Sequence, residues 1–254
     1  MKKFLSPVKG QRSIVKGSSG FTLLELLIVI SIIAILAIAL VFMLNPAETL
    51  KKARDAQRIS DLKTVKTALG IMLTASSTPS LDNFLPQATA VCLTSTNTSG
   101  TSVLATAPKI RYSANSAPTL TLATPGSDAA SAATAFISAA SGATAGKVDG
   151  NGWIPVNLKA ITGGSPISSF PVDPVNTVSS TAVSTDLVYR YACQNGTATG
   201  VGAGKPAYVF EVDAALESNA YTSDDDKRAK DGGDNDSYYE SGNSLNLLPT
   251  NAGF

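Results

Sequence analysis

No histidine occurs among the 254 residues. A Ser-His-Asp triad, a Cys–His pair and the usual zinc sites all need an imidazole as base or ligand, so all three are excluded. A carboxylate pair could still carry acid–base chemistry, but nothing in the sequence pairs two in a cleft. The chain does not read as an enzyme. Cysteine is scarce too: only Cys92 and Cys193 are present. In an exported protein they can form one disulfide, and the alternative is two buried free thiols. A closed loop of about 100 residues would be worth roughly 4.7 kcal/mol in the chain-entropy picture. Aromatic residues make up 6% of the chain, with one tryptophan, Trp153. No basic stretch is interleaved with aromatics in the way that single-stranded nucleic acid requires.

Charge is nearly balanced, with 20 basic and 19 acidic residues. It is unevenly placed. Met1–Gly20 carries Lys2, Lys3, Lys9, Arg12 and Lys16 and no acid. Without that leader, 15 basic and 19 acidic residues remain, a net charge of −4. A mildly acidic product has no general attraction to nucleic acid. The basic leader predicts that 1–20 stays cytoplasmic and the C-terminal bulk is exported. Six basic residues in 45–66 (Lys51, Lys52, Arg54, Arg58, Lys63, Lys66) stand against Glu48, Asp55 and Asp61, and they oppose that orientation less strongly.

One long hydrophobic run is present. From Phe21 to Leu44 the chain is apolar apart from Thr22, Ser31 and a single ionisable group, Glu25. As a helix rising about 1.5 Å per residue it reaches roughly 36 Å, enough to cross a bilayer. A carboxylate in hydrocarbon costs on the order of 2.5–3.5 kcal/mol on insertion scales, so Glu25 needs a partner or access to water. Asn45-Pro46-Ala47-Glu48 then carries helix-start chemistry and marks a kink or restart. Leu50, Ala53, Ala56, Ile59, Leu62, Val65, Leu69 and Met72 recur at steps of three and four. Lys51, Lys52, Asp55, Arg58, Asp61, Lys63 and Lys66 occupy the other faces. This predicts an amphipathic helix laid on a soluble domain, continuous with the apolar half over about fifty residues.

The run Gly20-Phe21-Thr22-Leu23-Leu24-Glu25 and the apolar stretch behind it resemble the processing site of type IV prepilins and type II secretion pseudopilins. The likeness is close from Gly20 to about Leu44 and loose to about Leu73. It implies that a membrane peptidase cuts after Gly20 and that the new N-terminal residue, Phe21, is N-methylated. It implies that Glu25 neutralises the N-terminal amine of a neighbouring subunit during assembly. The fold it implies is α+β and pilin-like: one long N-terminal helix, transmembrane in its first half, packed on a C-terminal antiparallel β-sheet domain with long loops. The division is then a leader 1–20, a membrane and filament-core helix 21–44, an amphipathic continuation 45–74 and a soluble domain 75–254.

Within that domain, Ala90–Leu93, Lys109–Tyr112 and Thr119–Ala123 read as short strands. Ala129–Ala140 reads as a weak helix around Phe136 and Ile137, or a loop. Asp149-Gly150-Asn151-Gly152 is a turn leading into Trp153, a core anchor. Leu187–Cys193 and Ala207–Leu216 are the strongest strands and predict an antiparallel hairpin with a long loop. The segment 224–236 holds acids spaced among glycines, a pattern that can wrap a hard cation but does not follow the EF-hand order. Major pseudopilins bind calcium in a C-terminal loop. The resemblance therefore implies Asp231, Asp234 and Asp236 as calcium ligands, against a solvated acidic loop.

The expected function is a structural subunit polymerised into a surface filament. The leader sits in the cytoplasm, one helix in the inner membrane and the C-terminal domain outside, before the subunit enters a periplasmic or extracellular filament. Expected partners are identical or related subunits, the prepilin peptidase and the assembly machinery; no nucleic acid is expected. The twenty-residue leader and the Ser/Thr-rich loops favour a pilus subunit. The alternatives are a pseudopilin of a secretion or DNA-uptake system, and a membrane-tethered binding domain such as a minor pilin or adhesin.

Overall fold

The structure is a computed structural model. It describes residues 20–77, 79–82, 92, 110–113, 136–138, 144–177, 186–195 and 208–248. The leader before Gly20, the strand expected at Thr119–Ala123 and all of Ala90–Leu93 except Cys92 lie outside the described residues. The chain divides into two compact units, Met1–Pro46 and Ala47–Phe254.

In the first unit, helix α1 runs Leu23–Leu44. Thr22 caps it in extended backbone, φ −73° and ψ 148°. Leu23–Val41 is long and apolar enough to cross a membrane, by length and composition. Its described large side chains are exposed around the whole circumference. A helix that is apolar all round belongs inside hydrocarbon or among other helices. It ends at Asn45, whose φ of 36° and ψ of 73° are left-handed. Asparagine tolerates that region better than most residues. Helix α2, Pro46–Ala75, follows at once. The expected fifty-residue helix is therefore two helices meeting at Asn45. Proline at the first position of α2 gives up only an amide that would have no helical partner.

In the second unit, α2 buries one stripe: Asp55, Arg58, Leu62, Val65, Ala68, Leu69 and Met72. The apolar part packs against Trp153, Ile154, Val156, Leu158 and Phe170 and against one face of a sheet, in a single core. That face is set by register. In the antiparallel pair β3 (Tyr189–Gln194) and β4 (Val209–Ala214), Tyr189 stands opposite Ala214, Tyr191 opposite Val212 and Cys193 opposite Phe210. Opposed residues share a face and alternate along the strand. Strand β1 (Ile110–Tyr112) is antiparallel to β3, and β5 (Tyr239–Gly242) is antiparallel to β4. Strand β2 (Phe136–Ser138) adds in parallel to β1, giving the order β2-β1-β3-β4-β5. The segment expected as a weak helix or loop around Phe136 and Ile137 is thus a short strand. Pairing with β1 decides a local ambiguity that three residues cannot settle.

Both faces of β3 and β4 are buried. Trp153 anchors the layer 144–177: its indole N–H donates to the Pro171 carbonyl at 2.8 Å and its amide to the Ala145 carbonyl at 2.8 Å. The turn before it needs glycine at 152, where a Cβ would lie 2.0 Å from the Lys147 carbonyl oxygen. Cys92 and Cys193 are joined by a disulfide that ties the segment at 92 to β3 across a sequence separation of 101.

Candidate functional site

At the start of α1 a capping box gathers Thr22 and Glu25. The Glu25 amide donates to Thr22 Oγ1 at 3.2 Å. In return, Thr22 donates to Glu25 Oε2 from both its amide and its hydroxyl, each at 3.0 Å. The carboxylate is thereby folded back over the first turn, where the positive end of the helix dipole favours it. Phe21 is 86% exposed. Gly20 is exposed, and an added Cβ would meet no atom within 4 Å. The fold therefore does not itself require glycine at 20. Gly20, Phe21 and Glu25 thus stand together at one helix end, with Thr22 as the residue that sequence reasoning passed over.

The second feature is a buried charge cluster between α2 and the strands' far end. Arg58 is wholly buried. Its Nε donates to Asp173 Oδ2 at 2.6 Å and its Nη2 to Asp173 Oδ1 at 3.1 Å. Its Nη1 reaches Asp55 Oδ1 and Glu217 Oε2, each at 2.7 Å. Arg54 adds two bonds to Glu217, at 2.9 and 3.2 Å. Asp55 in turn accepts the amides of Glu217 and Ser218, and Glu48 accepts the amide of Asn219. Burial alone would pull the Arg58 guanidinium down. The bonds to Asp173, Glu217 and Asp55 hold it above its ordinary range. Burial likewise pushes Glu217 up, and the bonds from Arg54 and Arg58 outweigh it and hold Glu217 low. Asp55 and Arg58, expected on a solvated face, are the inward stripe, while Leu50, Ala53 and Ala56, expected inside, are exposed. The reason is phase. Counting back from Leu62 by four and three residues gives Arg58 and Asp55, whereas steps of three alone drift around the helix.

The outer face of the sheet is polar yet buried. Arg190 pairs with Asp213 opposite it, with Nε to Oδ1 at 2.8 Å, and stacks 3.7 Å from the centre of the Tyr238 ring. Glu211 Oε2 accepts the amides of Leu247 and Leu248 at 2.6 and 2.9 Å. Glu240 Oε2 accepts the Asn235 amide at 3.2 Å. The two carboxyl groups also lie close enough to interact. Glu211 Oε1 and Glu240 Oε1 are buried with no hydrogen-bond partner. A proton on either one would give it a donor for the other. Burial, with the Glu240 carboxyl and its charge, raises Glu211 well above the carboxylate range. Burial, with the charges of Asp213 and Asp231, pushes Glu240 up to about 7.

The acidic segment does not converge on a cation. Asp231 is turned inward, accepting the Gly233 and Glu240 amides at 2.8 and 2.6 Å, while Asp234 and Asp236 are exposed. Among the described residues, no group of three or more histidine, cysteine or acidic side chains is arranged to hold a metal ion.

The model for the prokaryotic N-terminal methylation motif matches residues 15–41. The chain therefore carries the class III signal motif of type IV prepilins and pseudopilins. That motif supports membership of the type IV pilin-like family, whose members are structural subunits. It implies processing by prepilin peptidase and assembly with related subunits. One N-terminal apolar helix, followed by a second helix and a mainly antiparallel sheet, gives the α+β pilin-like layout. No curated protein and no solved structure matches the chain.

Proposed function

We propose that the chain is a pilin-like structural subunit, cut after Gly20, methylated at Phe21 and polymerised into a surface filament. The observation that carries this is Glu25. It is the one ionisable group in Phe21–Leu44, held at the mouth of an otherwise apolar, wholly exposed helix. Before assembly that helix anchors the subunit in the inner membrane, with the C-terminal domain outside. In the filament the same surface packs against related subunits, away from water, and a neighbour's Phe21 amine supplies the charge that Glu25 lacks. At an effective dielectric near 20 and about 4 Å, such a pair is worth roughly 4 kcal/mol before desolvation. Desolvation offsets much of it, which leaves register between subunits as its main product. The Ser/Thr-rich composition of 75–143 favours an exposed pilus over a secretion pseudopilus.

Mass spectrometry of the protein from its native host tests the reading. The expected mature chain begins at Phe21 and carries one methyl group. A chain that begins after Leu44, or that keeps 1–20, overturns it.

A further inference from the structure

We propose that Arg111 anchors an anion-binding site on the core face of the sheet, taking a small oxyanion such as a carboxylate or phosphate. Three arginines are buried among the described residues: Arg58, Arg111 and Arg190. Arg58 makes a forked contact with Asp173, and Arg190 makes another with Asp213. Arg111 is the exception. It is 7% exposed, yet its Nε is buried with no hydrogen-bond partner. Of the chain's 19 acidic residues, all but Asp128 are described. Their ion pairs go to Arg54, Arg58, Arg190, Lys227, Arg228 and Lys230, and none goes to Arg111.

Strand β1 places this group. Arg111 stands opposite Tyr191 of β3 and opposite Ile137 of β2. Opposed residues share a face, so the guanidinium enters the side of the sheet that carries Tyr191 and the core. Tyr191 does not supply the missing charge. Its hydroxyl donates to the Leu81 carbonyl at 2.8 Å. Burial, with the charge of Asp82, pushes the phenol well above its ordinary range, so it stays neutral. Asp82 is engaged elsewhere, accepting from the Cys92 amide at 3.1 Å and from Asn195 Nδ2 at 2.9 Å. Burial draws the Arg111 guanidinium down, and Tyr191 alone acts against it. An arginine does not give up its proton in a protein, so the charge persists. A buried charge with no partner is costly. An oxyanion satisfies it, because the planar fork of N–H donors matches a carboxylate or phosphate through two parallel bonds. The slight remaining exposure of Arg111 suits a small ion and excludes the surface of a macromolecule.

The test is a thermal melt of the purified full chain in detergent, titrated with phosphate or with acetate while chloride salts hold the ionic strength constant. A ligand that binds only the folded state stabilises it by mass action. The wild-type melting temperature should rise along a saturating curve with at least one of the two anions. The rise should reach about 5–10 °C at roughly a hundredfold excess over the half-saturating concentration. Arg111→Met, which keeps the length and removes the charge, should show no such rise. Arg111→Lys keeps the charge and loses the fork, and should need about tenfold more anion, the scale for losing a hydrogen bond to a charged group. A wild type that responds to neither anion overturns the proposal. So does an equal rise in the wild type and Arg111→Met, which marks a general salt effect. Matching falls of Arg111→Met and Asp128→Asn below the wild type in chloride overturn it as well, since the guanidinium would then be paired within the chain. If Arg111→Met is too unstable to titrate, Arg111→Lys decides: a response as sensitive as that of the wild type overturns the proposal, and one about tenfold weaker upholds it.

Discussion

Arg58 and Asp173, 115 residues apart, meet in a two-pronged ion pair closed off from solvent. Removing one partner of a buried pair strands the other charge at a cost of about 3–5 kcal/mol. Arg58→Ala should therefore destabilise the domain by that order in urea unfolding. Arg58→Lys should recover little of it, because an ammonium cannot make the forked contact. A loss under about 1 kcal/mol for Arg58→Ala would show that the pair does not form.

The Glu211–Glu240 pair gives a pH dependence of unusual sign. A raised carboxyl pKa means that the folded state keeps a proton which the unfolded chain gives up near 4.5. Stability from the Glu240 proton is fully present below about 4.5 and is lost as pH rises through about 7. Glu240→Gln, which can still donate to Glu211, should flatten the melting curve across that window and melt higher than the wild type at pH 8. Glu217 works the other way. Its depressed pKa gives stability present above 4.5 and lost as pH falls through the lowered value. A wild-type melting temperature that rises steadily from pH 5 to 8 would contradict the raised Glu240 carboxyl.

Reduction tests the covalent staple. Cys92 and Cys193 should resist alkylation in the native protein and label only after reductant. Cys193→Ser should cost about 2–5 kcal/mol. Ready labelling of both thiols without reductant would show that the bond is absent.

Of the glycines at 146, 152, 163 and 164 in the layer around Trp153, Gly152 is the one most closely approached by neighbouring atoms. A Cβ there would overlap the Lys147 carbonyl oxygen, which is backbone and cannot swing aside. Gly152→Ala should destabilise by about 1–3 kcal/mol or more, the range for forced backbone shifts. A variant with unchanged stability would mean that the turn at 147–152 is built differently.

The membrane-length helix and its lone carboxylate were legible because both are local: one needs only a run of apolar residues, the other only an exception to it. The β3–β4 pairing was legible for a similar reason, since Tyr189, Tyr191 and Cys193 alternate against Phe210, Val212 and Ala214. The inward Asp55 and Arg58 were not. A charged residue on a helix ordinarily faces water, and their partners lie more than a hundred residues downstream. Strand β5 reads Tyr-Glu-Ser-Gly, a sequence with no strand pattern until Glu240 is paired with Asp213 beside it. Thr22 was passed over because one polar residue at the mouth of an apolar run looks like the end of the run, and its two-way exchange with Glu25 shows only in coordinates.

The Cys92–Cys193 bond also sets a mechanical limit. In the filament proposed above, load would pull each subunit along its covalent path, and that path crosses the bond without entering the 101-residue span it closes. At about 3.3–3.6 Å per residue, roughly 330–360 Å of slack is withheld from any stretched chain. Under oxidising conditions a pulled subunit would lengthen only through residues outside the span. Reduction would release the hidden length as one discrete step on a force–extension trace.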